Sequence, residues 1–174
     1  MDREKFLCSI YIIIRNENNE VLLQRRANTK LWCGFLALPA GHVDIGENVY
    51  DALIREAKEE LNIDVCINDI CDTFVVNRRN VELSPYFDVY FEINNYNGEI
   101  SINEPLKCLE LVWCDINNLP NDMITFEKEA IVNYLNGVKF GVTRADENEK
   151  IYKKWFKYVE FLNSFSFLLF LKNV

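Results

Sequence analysis

Glu56, Glu59 and Glu60 stand three and four positions apart within GHVDIGENVYDALIREAKEELNI (41–63), with Arg55 directly ahead of them. At about 100° of turn per residue, Val49, Tyr50, Leu53, Ile54, Ala57 and Leu61 fall on one broad helical arc, with Asn48, Asp51, Arg55 and Lys58 opposite. Glu56 and Glu60 then lie along one edge of the apolar arc, with Glu59 just beyond. The carboxylates form a patch at the rim of the buried face, where a merely solvated acidic face would have used the far side. Like charges at these spacings repel by a few tenths of a kcal/mol per pair on an isolated helix, and partial burial raises that cost. The patch therefore calls for a positive occupant. Oxygen donors without histidine or thiolate select magnesium, with manganese as a substitute, over zinc or copper.

The elements that must position this patch are legible around it. Residues 6–14 and 21–24 are β-rich runs joined by a polar turn at Asn16–Glu20, which predicts a hairpin. Pro39 and Gly41 mark a bend leading into the acidic helix, which ends near Asn62. Strands are expected at 72–76, 86–93 and 109–114. In the second of these Phe87, Val89, Phe91 and Ile93 alternate with Tyr86, Asp88, Tyr90 and Glu92. Asn97-Gly98 signals a turn between the last two strands. A second helix is expected from Asp122 to Asn136, with Phe126, Ala130, Ile131, Tyr134 and Leu135 on one side and Gly137 as its stop. Beyond it Ile151, Trp155, Val159 and Leu162 recur at helical spacing ahead of SFSFLLFL, predicting a third helix. That apolar run is far short of the roughly 18 residues a membrane span needs. The expectation is that it packs on the sheet or on a second subunit.

The chain has 174 residues, 49% of them apolar, which suits a single self-sufficient domain. Its net charge of −8 argues against stable binding of nucleic acid or of an anionic membrane, so a polyanionic substrate must be met by cations and a few arginines. Six cysteines without a C-x-x-C pair, and a lone His42, read as reduced, mostly buried thiols in a cytoplasmic protein without a zinc site.

Gly41, Glu47, Arg55, Glu56, Glu59 and Glu60 together resemble the signature of the Nudix hydrolases: a glycine, five residues, a glutamate, seven residues, then R-E-apolar-x-E-E-x-G-apolar. Every charged position is present at its spacing. The one departure is Asn62 in place of glycine, and asparagine is the next-best residue for a left-handed helix end. The resemblance covers residues 6–140, including LLQRR before the box, LPAGHVD entering it and NEPLKCLELVWCDINNLP behind it. It implies an α+β fold, an α/β/α sandwich around a mixed sheet, over residues 1–140. Residues 141–174 would form an extra C-terminal helical extension.

The resemblance also implies a reaction, magnesium-dependent hydrolysis of a nucleoside diphosphate linked to another group. Glu56, Glu59 and Glu60 match the metal ligands, with the Ala40 carbonyl as a backbone ligand. The general base is Glu56 or the loop residue Glu104, with Glu99 as a third choice. Glu47 and Arg55 are expected to tie the loop to the helix as a structural pair. Arg25 or Arg26 would reach the phosphates. His42 is read as a loop hydrogen-bonder. Trp32, Phe35, Tyr86 and Phe126 are candidates for a face on which a base stacks, or for core.

Marks that distinguish ADP-ribose, dinucleoside polyphosphate, coenzyme A or NADH hydrolases are not evident. This favours the MutT-like group, which cleaves nucleoside triphosphates, oxidised ones included, to monophosphate and pyrophosphate. The alternatives are an ADP-ribose, nucleotide-sugar or dinucleoside polyphosphate hydrolase, and a non-catalytic nucleotide sensor. The sensor is disfavoured because every box glutamate is retained.

Overall fold

A computed structural model describes residues 3–79 and 84–144. In chain order the elements are β1 (Leu7–Ile14), β2 (Glu20–Arg26), β3 (Leu36–Ala37), β4 (Ala40–His42), α1 (Val49–Leu61), a 3-10 turn at Ile67–Asp69, β5 (Ile70–Arg79), β6 (Tyr86–Ile93), β7 (Cys108–Asp115), α2 (Thr125–Leu135) and β8 (Phe140–Arg144). They form a five-stranded mixed sheet, β4-β1-β6-β5-β8, and a three-stranded sheet, β3-β2-β7. The third helix expected in the tail lies outside the described residues.

The predicted β1–β2 hairpin is not what forms. Its turn is present, with Asn16 N donating to Glu20 O at 3.0 Å, but only the bridge Arg15↔Val21 links the two arms. β1 pairs in parallel with β6 and antiparallel with β4, while β2 joins the other sheet. The cause is the composition of β1. Ile10, Ile12 and Ile14 pack with Ala52, Leu53, Ala57 and Leu61 of α1, while Tyr11 and Ile13 pack with Ala130 and Ile131 of α2. A strand apolar on both faces belongs inside a sheet covered on both sides.

β6 shows the same double burial. Asp88 is fully buried, whereas Phe87 of the alternating apolar set is 36% exposed. The Asn97-Gly98 turn also closes no hairpin, because β6 and β7 lie in different sheets. Its residue Asn97 bridges to Asp64 instead, at the end of α1.

The ends of α1 follow the sequence. Asn48 and Asp51 form a capping box, and Asn62 takes the left-handed conformation with φ 58°. Because a side chain with a Cβ and no local polar group pays a steric penalty there, Asn62→Ala should lower unfolding free energy by about 1 kcal/mol. Asn62→Gly should stay within about 0.5 kcal/mol of wild type, and urea titration measures both.

All six cysteines are free. Only Cys108 is fully buried, and Cys33, Cys66 and Cys71 are exposed, contrary to expectation. No helix among the described residues is long and apolar enough to cross a membrane.

Candidate active site

The site starts with β4. Pairing of Ile10 with Gly41 and Tyr11 with Ala40 lays the AGH segment along β1, beside the helix that carries the glutamates. Gly41 is therefore a strand residue, not the apex of a bend. A Cβ built on it would lie 1.7 Å from Glu56 Oε1 and 1.9 Å from Glu56 Cδ. Glycine is required here for close approach, since its φ is not positive.

Arg55 organises the loop. Its Nε and Nη2 grip Glu47 at 2.7 and 3.0 Å, and Nη2 also donates to His42 O at 2.9 Å. Nη1 reaches Glu56 Oε1 at 2.5 Å and Glu59 Oε2 at 3.1 Å. A planar guanidinium thus fixes the loop carboxylate and two helix carboxylates together. Glu60 faces elsewhere, with its Oε2 accepting from Ala40 N at 2.8 Å and Gln24 Nε2 at 3.1 Å. Ala40 meets the patch through its N–H.

Burial pushes Glu60 up to about 7, with the charges of Glu56 and Glu104 adding to that and the Ala40 and Gln24 hydrogen bonds opposing it. Burial also raises Glu56, which is only 9% exposed, against the pull of Arg55. Carboxylates held this way favour an added positive charge. Among the described residues no three acidic, histidine or cysteine side chains already form a cation cage, and Arg55 is the counter-charge for Glu56 and Glu59. The donor set nevertheless fits a hard divalent ion, being oxygen only and carried on two turns of one helix, with a glycine leaving room beside Glu56.

Glu104 reaches this patch through a loop fastened to α1. The last carbonyls of a helix have no partner inside it. Here Asn103 N donates to Glu60 O at 3.2 Å and Ser101 N to Leu61 O at 3.1 Å, and Asn103 Nδ2 adds a second donor at 3.2 Å to Lys58 O, which already accepts from Asn62 N. Asn62 Nδ2 adds a bond to Ser101 Oγ at 3.3 Å. The outcome is that Glu104 lies in the field of both Glu56 and Glu60, while Glu99 is exposed.

The two arginines part company. Arg25 braces the neighbouring surface, bonding Glu110 at 2.5 Å, Asp122 at 2.8 Å and Gly34 O at 2.9 Å. Arg26 carries a buried Nε with no hydrogen-bond partner among the described residues, and its charge is felt by Glu127.

The four aromatics are all partly buried and are linked through one another and through Arg78. Tyr86 and Phe126 lie 4.3 and 4.4 Å from the Arg78 guanidinium, which is buried in an ion pair with Asp88 at 2.5 Å. Trp32, held at φ 62°, meets Phe35 and Phe126 edge to face at 5.6 and 6.4 Å. His42 Nε2 lies 3.3 Å from the Tyr86 hydroxyl. Glu127 is buried behind them, accepts from Leu38 N at 2.7 Å, and is pushed up to about 8 by burial. Sequence reasoning missed Arg78, Asp88 and Glu127. The available signal was opposite charge at inward positions of neighbouring strands: Phe74, Val76 and Arg78 share one face of β5, as Asp88 and Tyr90 do on β6.

A mixed sheet thus carries a helix on either face, and an arginine locks the glutamate-bearing helix to the glycine strand. Residues 6–135 match the NUDIX domain family, and the chain belongs to the Nudix hydrolases, enzymes that generally work with divalent cations on small nucleotide substrates. The chain is similar to an ADP-ribose pyrophosphatase of Methanocaldococcus jannaschii, 29% identical over 120 residues, 69% of this chain and 67% of that protein. A putative 8-oxo-dGTP diphosphatase of Bacillus subtilis is 25% identical over 129 residues, 74% of this chain and 80% of that protein. Among solved structures, a MutT NUDIX hydrolase from Burkholderia pseudomallei has the same fold, with TM-score 0.63 and 23% identity across 74% of this chain and 98% of that one. So does a MutT protein from Methanosarcina mazei, with TM-score 0.64 and 21% identity over 79% of this chain and 98% of that one.

Proposed function

We infer that this Nudix hydrolase is a magnesium-dependent pyrophosphohydrolase of a nucleoside triphosphate, releasing the monophosphate and pyrophosphate, with manganese able to substitute. Glu56, Glu59, Glu60 and the Ala40 carbonyl are the residues that would hold the cation, which when bound shields the phosphate oxygens and the charge that builds on them. Arg55 keeps Glu56 oriented through the Glu47 pair. Glu104 is the general base, in preference to Glu56, because each has one oxygen in an ion pair, with Lys107 and Arg55 respectively, but the Glu104 carboxylate is the more exposed of the two. The observation that carries the reading is the attachment of the 101–104 loop to the last turn of α1, which adds a more exposed carboxylate to the field of Glu56 and Glu60.

The Bacillus subtilis relative's name adds weight to an oxidised triphosphate, whereas that of the archaeal relative favours ADP-ribose as a second reading.

A substrate panel with magnesium separates them. Release of pyrophosphate should be fastest from a nucleoside triphosphate, normal or 8-oxo. Turnover of ADP-ribose at least about tenfold faster than that of every triphosphate would establish the second reading in place of the first.

A further inference from the structure

Lys107 sits in a turn closed on the Glu104 carbonyl, by Lys107 N at 2.9 Å and Cys108 N at 3.0 Å. That turn is anchored at the end of β2, where Ala27 N donates to Lys107 O at 2.7 Å and Asn28 Nδ2 to Leu106 O at 2.7 Å. Together with the bonds from Ser101 and Asn103 to α1, these pin the loop on both sides of Glu104. From this turn Lys107 Nζ reaches Glu104 Oε1 at 2.6 Å. An exposed Lys–Glu pair ordinarily contributes little. This pair differs in its surroundings, because Glu104 sits on a loop bonded to the last turn of α1 and lies in the field of Glu56 and Glu60. The same Glu56 and Glu60 steady the Lys107 ammonium. The loop bonds fix the backbone at 104 and the Lys107 bond fixes the side chain, so without Lys107 the Glu104 carboxylate would be free to turn into solvent.

We propose that Lys107 is a positioning residue for hydrolysis, holding Glu104 Oε1 so that the other carboxylate oxygen faces the glutamate patch and receives the proton of the attacking water. The inference rests on the reading of Glu104 as the base. In the step it serves, one water proton passes to Glu104 as the water oxygen bonds phosphorus. The phosphoanhydride bond breaks, with its electron pair leaving on the departing phosphate oxygen. Lys107 keeps its protons throughout and makes no bond to the reacting atoms.

Steady-state kinetics of Lys107→Met, Lys107→Arg, Glu104→Gln and the double variant Lys107→Met/Glu104→Gln test this. Lys107→Met should lower kcat by about tenfold with KM within about twofold, a misorientation of the base and not a loss of binding. Lys107→Arg, which keeps the charge, should recover to within about threefold of wild type. In the Glu104→Gln background Lys107→Met should cost nothing more, since both act through one group. Equal and multiplying losses in the two backgrounds, or a raised KM at unchanged kcat, would overturn the proposal and make Lys107 a substrate contact. An unchanged Lys107→Met beside a damaged Glu104→Gln would overturn the positioning role alone. A Glu104→Gln loss below about threefold would overturn the base assignment, and the positioning role with it.

Discussion

Replacing Glu59 or Glu60 by glutamine is expected to lower turnover by at least about 100-fold, on the scale of removing a principal electrostatic group from a transition state. The substitution keeps size and polarity and deletes one negative charge, so the effect reads cation affinity and charge shielding, not packing. The two positions differ in their neighbours. Glu60 is held by Ala40 N and Gln24 Nε2, and its neutral replacement keeps an oxygen that can accept from both, so the fold should be undisturbed. Glu59 is half-exposed and bonds Arg55 at 3.1 Å. Its loss leaves Arg55 bound to Glu47 and Glu56. Equal damage at two such different positions is expected only if both serve one cation. The measurement is kcat at saturating substrate and magnesium, with circular dichroism as the control for folding. Near-normal rates in both variants would remove the patch from the chemistry.

Gly41→Ala is expected to be almost as damaging, for a steric reason. The added methyl would occupy the position of the Glu56 carboxylate, 1.7 Å from Oε1 and 2.6 Å from Oε2. The backbone at 41 carries no left-handed strain, so alanine meets no conformational penalty and the whole effect falls on Glu56. That side chain can swing, but only by stretching the 2.5 Å contact to Arg55 and leaving its buried seat. Displacement of a reacting group by about 1 Å can cost on the order of 100-fold in rate. A fall in kcat of that order, with a melting temperature lowered by only a few degrees, is the expected pattern. A large loss of stability with a proportionate loss of activity would instead make Gly41 a folding residue. The double variant Gly41→Ala/Glu56→Asp offers a check, since shortening residue 56 makes room for the methyl and should restore part of what Gly41→Ala loses.

The acidic helix was readable because its determinants are local. Leu53, Ala57 and Leu61 of the expected apolar arc are buried, although Tyr50 and Ile54 are exposed, and the Asn48 and Asp51 cap and the left-handed Asn62 likewise act within a few residues of one another. Strand pairing was not, because alternation assigns faces and leaves partners open. β1 and β2 looked like a hairpin and were drawn into separate sheets by the two apolar faces of β1. The choice between Arg25 and Arg26 shows how a small irregularity defeats periodicity. Leu22 packs on the α1 side and Gln24 reaches Glu60 there, so a period of two would send Arg26 the same way. A register shift between Gln24 and Arg26 breaks the period, and Arg26 acts on Glu127 of α2 instead. Glu104 could be named only from the family resemblance, since its approach to α1 depends on bonds from Ser101 and Asn103 to helix carbonyls that no sequence spacing announces.

The proposed function depends on the rim of α1 binding the divalent ion that the reaction uses. Manganese binding, followed by the loss of the free-ion electron paramagnetic resonance signal, tests it without reference to any substrate. Wild-type protein should take up manganese, magnesium should displace it, and the double variant Glu59→Gln/Glu60→Gln should bind at least about tenfold more weakly. Equal manganese uptake by the wild type and the double variant would contradict the account.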